Sequence, residues 1–281
     1  MATRFPVILA LVLVVCFRVP AAAGSDVANK SETASLPEDI WKRDTLTGDW
    51  GGVRKSLEEA GVTFSVNEQS ELWANLTGGL RTGGTYVGLT TPSLKLDLAK
   101  LIDWKGATFF VNAYQIDGFG PSANFVGNQQ FVTNIEATPS TKLYQLWLEQ
   151  SLFNDRLTIR IGQEGMNDEF MTSQASEVFL NGSFGYPDLN ERDLPSSGPN
   201  YPLATPMVRA KVKITDQLSY IGAIFNGDPA GPGRGTGPGE EDPQVRDASG
   251  TAFRLQDPPL IVNELWYSVG EDKRSAPLPG I

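Results

Sequence analysis

The period of the hydrophobic pattern changes at Gly61 from the helical 3.6 residues to two residues, and this change limits the folds that the chain can adopt. After Gly61, apolar side chains occupy every second position, as at Val62, Phe64 and Val66, and polar side chains stand between them. A period of two is typical of a β-strand with one apolar and one polar face. Similar segments follow along the chain, about eight in all, so the sequence predicts an all-β fold.

The predicted strands divide into clear and blurred ones. Clear alternation covers residues 62–67, 94–99, 144–149, 157–164 and 208–214. The alternation is blurred in residues 107–116, 218–225 and 260–267, where aromatic and β-branched side chains still favour strands. The segments are close to the length of about 9–11 residues that a tilted membrane-spanning strand needs.

Short links and long connections alternate between these strands. The short links are residues 103–106, 154–156 and 216–217, and the long connections are residues 117–141, 165–207 and 226–258. Bacterial outer-membrane barrels have short periplasmic turns and long outer loops. A soluble sandwich rarely carries long structureless connections in such alternation. The connections therefore predict a transmembrane antiparallel β-barrel.

The polar face of the predicted strands carries full charges. A solvated face of a soluble sheet would explain any single strand, but several such strands with alternating loop lengths favour the inner wall of a water-filled channel. The charged residues of this face are Lys95, Asp97, Glu149, Arg160, Glu164, Arg209, Lys211 and Lys213.

Residues 1–23 have the pattern of a cleaved signal peptide. Arg4 supplies a positive charge, residues 6–17 are almost wholly apolar, and residues 21–23 are alanines before an expected cleavage at Gly24. The apolar run of about 12 residues is shorter than the ~20 that a spanning helix needs, which argues against a membrane anchor. We therefore expect export and a location in the bacterial outer membrane.

The remaining chain divides into three predicted segments. Residues 24–43 are polar without periodicity and predict a flexible leader. Residues 44–61 predict a short periplasmic helix, with Thr47 or Asp49 as its N-cap and Gly61 at its end. Residues 62–281 are predicted to form the β-barrel part of the chain.

The residue types present exclude several kinds of chemistry. The chain has no histidine, and its one cysteine, Cys16, lies in the predicted signal peptide. A disulfide scaffold, a thiolate metal site and a serine–histidine pair are therefore excluded from the mature protein. A formal net charge of -10 argues against a nucleic-acid partner. We expect no enzyme activity, no cofactor and no metal site.

Residues 46–54, with the sequence LTGDWGGVR, resemble the opening of the carbohydrate-selective porin (OprB-type) family. Further similarity follows in order along most of the chain. It covers residues 104–109, 143–150, 203–206, 225–233 and 250–259.

The resemblance implies a porin of the 16-stranded type with a short N-terminal helix, of which about eight strands are present here. It implies passive, carbohydrate-selective diffusion of small neutral sugars, glucose-like in size, into the periplasm. The implied partners are these sugars, outer-membrane lipid and further copies of the chain in a homotrimer. Family members continue well beyond this length, so we expect a C-terminally truncated chain that holds about half of the wall.

A channel for neutral sugars needs fixed hydrogen-bond donors, acceptors and aromatic faces. Alternation predicts Arg160 and Glu164 as wall residues, together with Trp147 and Glu149 on the preceding strand. A structural ion pair is an equal alternative for Arg160 and Glu164. A register error of one residue would turn Trp147 to the lipid. Further candidates for the wall are Lys95, Asp97, Arg209 and Lys211.

Other interpretations stay open at this point. A passive structural or adhesive barrel without transport is the main alternative. An outer-membrane lipase lacks a histidine base, and a soluble sugar-binding protein would need strand–helix alternation, which is absent after residue 61. Residues 165–207 carry Phe179, Phe184, Tyr186 and Tyr201, and they form either an inward-folded loop or an ordinary outer loop.

Overall fold

The computed structural model describes residues 45–172, 179–181, 192–233 and 239–268. The chain separates into two units, Met1–Gly48 and Asp49–Ile281. The first unit is described only at residues 45–48, where Gly48 N donates to Thr45 O over 3.0 Å in a turn. The predicted signal peptide and leader lie outside the described residues. All that follows concerns the second unit.

The second unit begins with a 3-10 turn, Trp50–Gly52, and helix α1, Val53–Glu59. Gly52 is the N-cap of α1 without a side-chain cap bond, and Asp49 Oδ1 instead accepts from Lys55 N over 3.1 Å. Gly61 follows the helix with φ of 97°, and a Cβ there would lie 2.9 Å from Asp97 O. Only glycine fits this close approach of α1 to the sheet.

Eight strands follow α1 and form one sheet in which each strand pairs antiparallel with its sequence neighbours. This confirms the predicted all-β fold. The strands are β1 Val62–Asn75, β2 Gly83–Asp97, β3 Ala107–Gly118, β4 Ser140–Leu152, β5 Leu157–Glu164, β6 Thr205–Lys213, β7 Leu218–Asn226 and β8 Pro259–Tyr267.

Two short helices lie between strands. Helix α2, Leu98–Ile102, joins β2 to β3, and helix α3, Pro243–Arg246, lies between β7 and β8. The prediction that the strand continues through residue 99 is therefore wrong. Asp97 accepts from Ala99 N and Lys100 N and so starts a helix at that point. None of the described helices is both long and apolar enough to cross a membrane.

A β-bulge in the β3–β4 pairing changes the direction of one predicted side chain. The register passes from Val111 opposite Leu146 to Ala113 opposite Leu143, which leaves an extra residue in β4. Tyr144 therefore stacks on Tyr114 at 4.3 Å and does not share a face with Leu146 as the alternation predicts. A bulge shifts the two-residue period by one position.

One face of the sheet is apolar across all eight strands, and we call it the apolar face. A continuous row of directly paired residues crosses it, and members such as Ile161 and Ile261 are 56% and 62% exposed. An exposed apolar band of this kind is suited to contact with lipid. The row is Val62, Leu96, Phe109, Leu148, Ile161, Val208, Ile224 and Ile261.

The opposite face carries Glu149, Arg160 and Arg209, and we call it the charged face. Connections cover part of this face. Met166 and Phe170, which follow β5, pack in a buried cluster with side chains of β6, β7 and β8. The start of the β5–β6 connection therefore folds over the charged face.

The β3–β4 connection and a later part of the β5–β6 connection cover another part of the charged face. Ile135 packs against side chains of β2 and β3, and Tyr201 packs against the same cluster. Phe179 is 45% exposed, and Phe184 and Tyr186 lie outside the described residues.

Candidate functional site

The candidate site lies on the charged face where β4, β5 and β6 run side by side. Glu149 is directly opposite Arg160, and Arg160 is directly opposite Arg209. The short link between β4 and β5 sets the first pairing, since it fixes the hairpin register. Two neighbouring guanidinium groups repel each other, so the site requires carboxylates around them.

Three glutamates surround the two arginines. Arg160 contacts Glu149 Oε2 at 2.9 Å, Glu164 Oε1 at 2.6 Å and Glu169 Oε1 at 3.5 Å. Arg209 contacts Glu149 Oε2 and Glu169 Oε2, each at 2.5 Å. We call these five residues the arginine–glutamate cluster. Glu149 and Glu169 each contact both arginines, and these contacts join β4, β5, β6 and the loop after β5.

Exposure differs sharply within the arginine–glutamate cluster. The Arg209 and Glu164 side chains are 2% and 4% exposed, while Arg160, Glu149 and Glu169 are 12%, 23% and 20% exposed. Arg209 also donates to Thr158 Oγ1 over 2.6 Å. Arg209 therefore forms the buried base of the cluster. Arg160, Glu149 and Glu169 form the part that solvent can reach.

An amide extends the cluster toward the loop after β5. Gln145 Nε2 donates to Glu164 Oε1 over 3.2 Å and to Asp168 Oδ2 over 3.0 Å. Gly165 N donates to the same oxygen of Asp168 over 3.2 Å. Burial raises the pKa of Asp168 to about 7 against these hydrogen bonds. Asp168 thus changes charge near neutral pH beside the cluster.

Trp147 lies on the charged face, but its ring is largely covered. Phe110 stacks against it at a centroid distance of 5.0 Å, and the Arg160 guanidinium lies 3.8 Å from its centroid. Only 9% of Trp147 is exposed. A ring placed in this way orients the guanidinium of Arg160 by a cation–π contact.

Of the other predicted wall residues, Lys95 and Asp97 lie apart from the arginine–glutamate cluster, whereas Lys211 on β6 interacts electrostatically with its members Glu149, Glu169, Arg160 and Arg209. Lys211 Nζ lies 4.6 Å from the ring centroid of Trp266 on β8. Lys95 is exposed and stands opposite Phe110. Asp97 is engaged as the N-cap of α2. The structure thus brings together Glu149, Arg160, Glu164 and Arg209 from the predicted set, with Trp147 against Arg160 and Lys211 beside the cluster.

Glu169, Asp168 and Gln145 are members of the site that sequence reasoning missed. Glu169 and Asp168 lie just beyond β5, where the two-residue period has ended and no longer shows which way a side chain points. The acidic pair directly after a charged strand is the only sequence signal for them. Within the described ranges, no group of three or more acidic, histidine or cysteine side chains is arranged to hold a metal ion.

Replacement of Asp168 by asparagine is expected to change how stability depends on pH. The pKa of Asp168 is raised from 3.8 to about 7, so the folded protein holds this proton more tightly than the unfolded chain. The resulting stabilisation is complete below pH 3.8 and is lost as pH rises through about 7. This loss lowers the free energy of unfolding by up to about 1.4 kcal/mol per pH unit, and Asp168→Asn should remove that dependence.

Urea unfolding of the complete protein in lipid vesicles, measured at several pH values between 4 and 7, checks this expectation. The matched control is Asp216→Asn, because a hydrogen bond from Lys213 lowers the pKa of exposed Asp216 and moves its titration below this window. Equal slopes for the wild type and Asp168→Asn would contradict the expectation.

Comparison with known proteins agrees with this geometry. A family model described as "Carbohydrate-selective porin, OprB family" matches residues 81–280. The chain is 30% identical over 152 residues to a protein of Acinetobacter baylyi named porin QuiX, which covers 50% of this chain and 34% of that protein. It is 28% identical over 163 residues to Porin B of Pseudomonas aeruginosa, which covers 55% and 35%.

This chain therefore spans about a third of the length of these curated relatives. Among solved structures, the high-pH structure of OprB from Pseudomonas putida matches with a TM-score of 0.61 and 23% identity. The match covers 67% of this chain and 46% of that chain. It confirms the porin-type β-barrel fold.

Proposed function

This chain belongs to the OprB family of carbohydrate-selective porins, and on that premise we propose a transport function for the complete protein. The complete protein lets small neutral sugars, glucose-like in size, diffuse passively across the bacterial outer membrane into the periplasm. Both of the curated relatives reported above are named as porins. The predicted signal peptide accounts for export to that membrane.

The observation that carries this proposal is the partly exposed arginine–glutamate cluster on the charged face, directly behind a continuous apolar face. Lipid on one side and water on the other is the arrangement of a porin wall. In the cluster, fixed donors and acceptors meet the water-filled side. A soluble sheet would not expose a row of isoleucines and valines on its other face.

The cluster suits passage of a neutral sugar rather than tight binding. The guanidinium of Arg160 donates to sugar hydroxyl oxygens, and the carboxylates of Glu149 and Glu169 accept from sugar hydroxyl groups. Arg160 already contacts both of these carboxylates. A sugar therefore exchanges existing interactions for new ones, gains little net free energy, and leaves again readily.

Charges of both signs at the same point also reduce the field that an ion would experience. Arg160 and Arg209 face three glutamates in the cluster. A channel wall whose charges all had one sign would concentrate ions of the opposite charge. The mixed cluster therefore favours neutral solutes that form hydrogen bonds.

A liposome-swelling assay with the complete protein tests the proposed function. We expect glucose to enter at least about tenfold faster than a neutral trisaccharide, since contacts at the cluster require close approach of the solute. Protein-free liposomes are the control for leakage. Absence of swelling in glucose, together with absence of conductance in a planar bilayer, would favour a structural or adhesive barrel instead.

Assembly of the complete protein into a homotrimer stays a prediction. Chemical cross-linking of the purified complete protein in a mild detergent, followed by gel electrophoresis, counts the copies. A single band at the monomer mass would contradict it.

A further inference from the structure

A cleft lies on the charged-face side of β1 and β2, at the end of these strands that is far from α2. The facing wall comes from the β3–β4 connection, and the cleft has a volume of about 200 Å³. Its lining carries no charged residue and includes Trp73, Asn75, Thr85, Phe125, Val126 and Val132. It is therefore an aromatic and apolar site with a few polar groups, unlike the arginine–glutamate cluster.

The cleft and the cluster lie at different levels of the wall. Trp73 is directly opposite Thr85 near one end of the β1–β2 pair. Asp97, at the other end of β2, is opposite Thr108, which is opposite Glu149 of the cluster. Thr85 and Asp97 are separated by about 12 residues of strand, or roughly 40 Å at ~3.3 Å per residue.

The aromatic groups of the cleft are held in place before any ligand arrives. Trp73 Nε1 donates to Glu71 Oε2 over 2.7 Å. The Arg81 guanidinium lies 4.4 Å from the Phe125 ring centroid. Phe125 O accepts from Leu80 N over 2.8 Å. Since these groups are already ordered, a ligand that stacks on them loses little conformational freedom in the protein.

Gly83 makes room for Phe125 in this arrangement. A Cβ at Gly83 would lie 2.8 Å from Phe125 Cε1, and the φ of Gly83 is 149°. Any larger residue at this position would push the ring from its place. The backbone of β2 is thus shaped around one wall of the cleft.

The arginine–glutamate cluster lacks what this cleft provides. A pyranose ring has a C–H face that packs on aromatic rings, and such contacts contribute beyond burial of area. Trp147 does not offer a free ring, because Phe110 and Arg160 both contact it and 9% of it is exposed. Trp73 packs on one side against the buried cluster that contains Val87 and Ile135, but it is only partly buried and also lines the cleft.

We propose that this cleft is a separate docking site for the apolar face of a ring-closed sugar, with Trp73 as the stacking surface. The inference rests on the proposed sugar transport and adds a second site to it. Thr85 Oγ1 donates to Phe119 O over 2.6 Å and keeps lone pairs that accept from a sugar hydroxyl. The chemical class of ligand is a cyclic monosaccharide, and an open-chain polyol lacks the ring face that the site recognises.

Block of ion current by sugar in a planar bilayer, recorded with the complete protein, tests the docking site. Trp73→Ala should raise the half-saturating glucose concentration about fivefold, since an aromatic contact is lost. The half-saturating concentration of sorbitol, an open-chain hexitol, should change less than twofold. Trp73→Phe should recover most of the glucose effect, because it restores an aromatic face.

Two further variants separate docking from folding. Val132→Phe leaves Trp73 in place and fills the cleft. It should therefore raise the half-saturating glucose concentration about as much as Trp73→Ala does. Trp104→Ala removes a 45% exposed tryptophan on the β2–β3 link and is the matched control. It should match the wild type.

The outcomes distinguish the two proposals. If the wild type shows no glucose-dependent block and no uptake of glucose, the proposed function itself fails. A second outcome is that glucose blocks the wild type with a saturating dependence, and Trp73→Ala and Val132→Phe have the same half-saturating concentration as the wild type. The proposal of a docking site is then wrong, and the transport function stands. An equal shift for glucose and sorbitol also overturns the docking site, because ring-face recognition would then be absent.

Discussion

Replacement of Arg209 by methionine is expected to destabilise the folded protein by about 3–5 kcal/mol, because a buried ion pair loses one partner. The Arg209 side chain is 2% exposed and contacts Glu149 and Glu169. Methionine keeps much of its volume and removes its charge. The two carboxylates then keep Arg160, which already contacts Glu164, and the electrostatic attraction of Lys211.

The free energy of unfolding of the complete protein in lipid vesicles, obtained from urea titration, measures this effect. Arg156→Met is the matched control at an exposed position on the β4–β5 link, and it should change stability by less than about 0.5 kcal/mol. Glu169→Gln in the Arg209→Met background should recover part of the loss, since it removes one carboxylate left without its partner. An unchanged midpoint for Arg209→Met would show that the cluster does not support the fold.

Replacement of Arg160 by alanine is expected to lower glucose uptake by about tenfold or more relative to a neutral solute of similar size without hydroxyl groups. Arg160 is the partly exposed donor of the cluster, and a charge-assisted hydrogen bond contributes about 1.5–3 kcal/mol. The same change removes one positive charge beside Glu149, Glu164 and Glu169. Selectivity should therefore shift toward cations.

Uptake rates and the reversal potential in a salt gradient give the two readouts. Arg160→Lys keeps the charge but loses the planar fork, so it should retain ion selectivity and still lose much of the glucose preference. Lys105→Gln, on the exposed β2–β3 link, controls for loss of any positive charge. If Arg160→Ala kept wild-type values in both readouts, Arg160 would have no part in the pathway.

Much of the sheet could be predicted because alternation and short links are local signals. Val62, Phe64 and Val66 show the period of β1 without reference to any other strand. The short link between β4 and β5 brings Glu149 opposite Arg160. Local patterns fail where one residue changes the local geometry. The extra residue at the β4 bulge turns the side chain of Tyr144 to the opposite face of the sheet. The carboxylate of Asp97 ends β2 because it caps the start of α2.

The candidate site was only partly predictable, for a different physical reason. Arg160 and Glu164 belong to one strand, so their common face follows from the period of two. Glu169 reaches the cluster from a loop, and no period in the sequence gives the direction of a loop side chain. Trp147 was placed on the wall by alternation, but its cover by Phe110 depends on pairing with β3. Contacts between side chains of different strands decide which groups remain available.

The simple order of the sheet has a consequence for how the protein is assembled. Each of the eight described strands pairs with its neighbours in sequence, so a strand joins the described sheet by closing only the connection that precedes it. All members of the arginine–glutamate cluster lie between Glu149 and Arg209. The cluster is therefore complete once β4, β5 and β6 have paired, and none of its ion pairs involves a residue of β7 or β8.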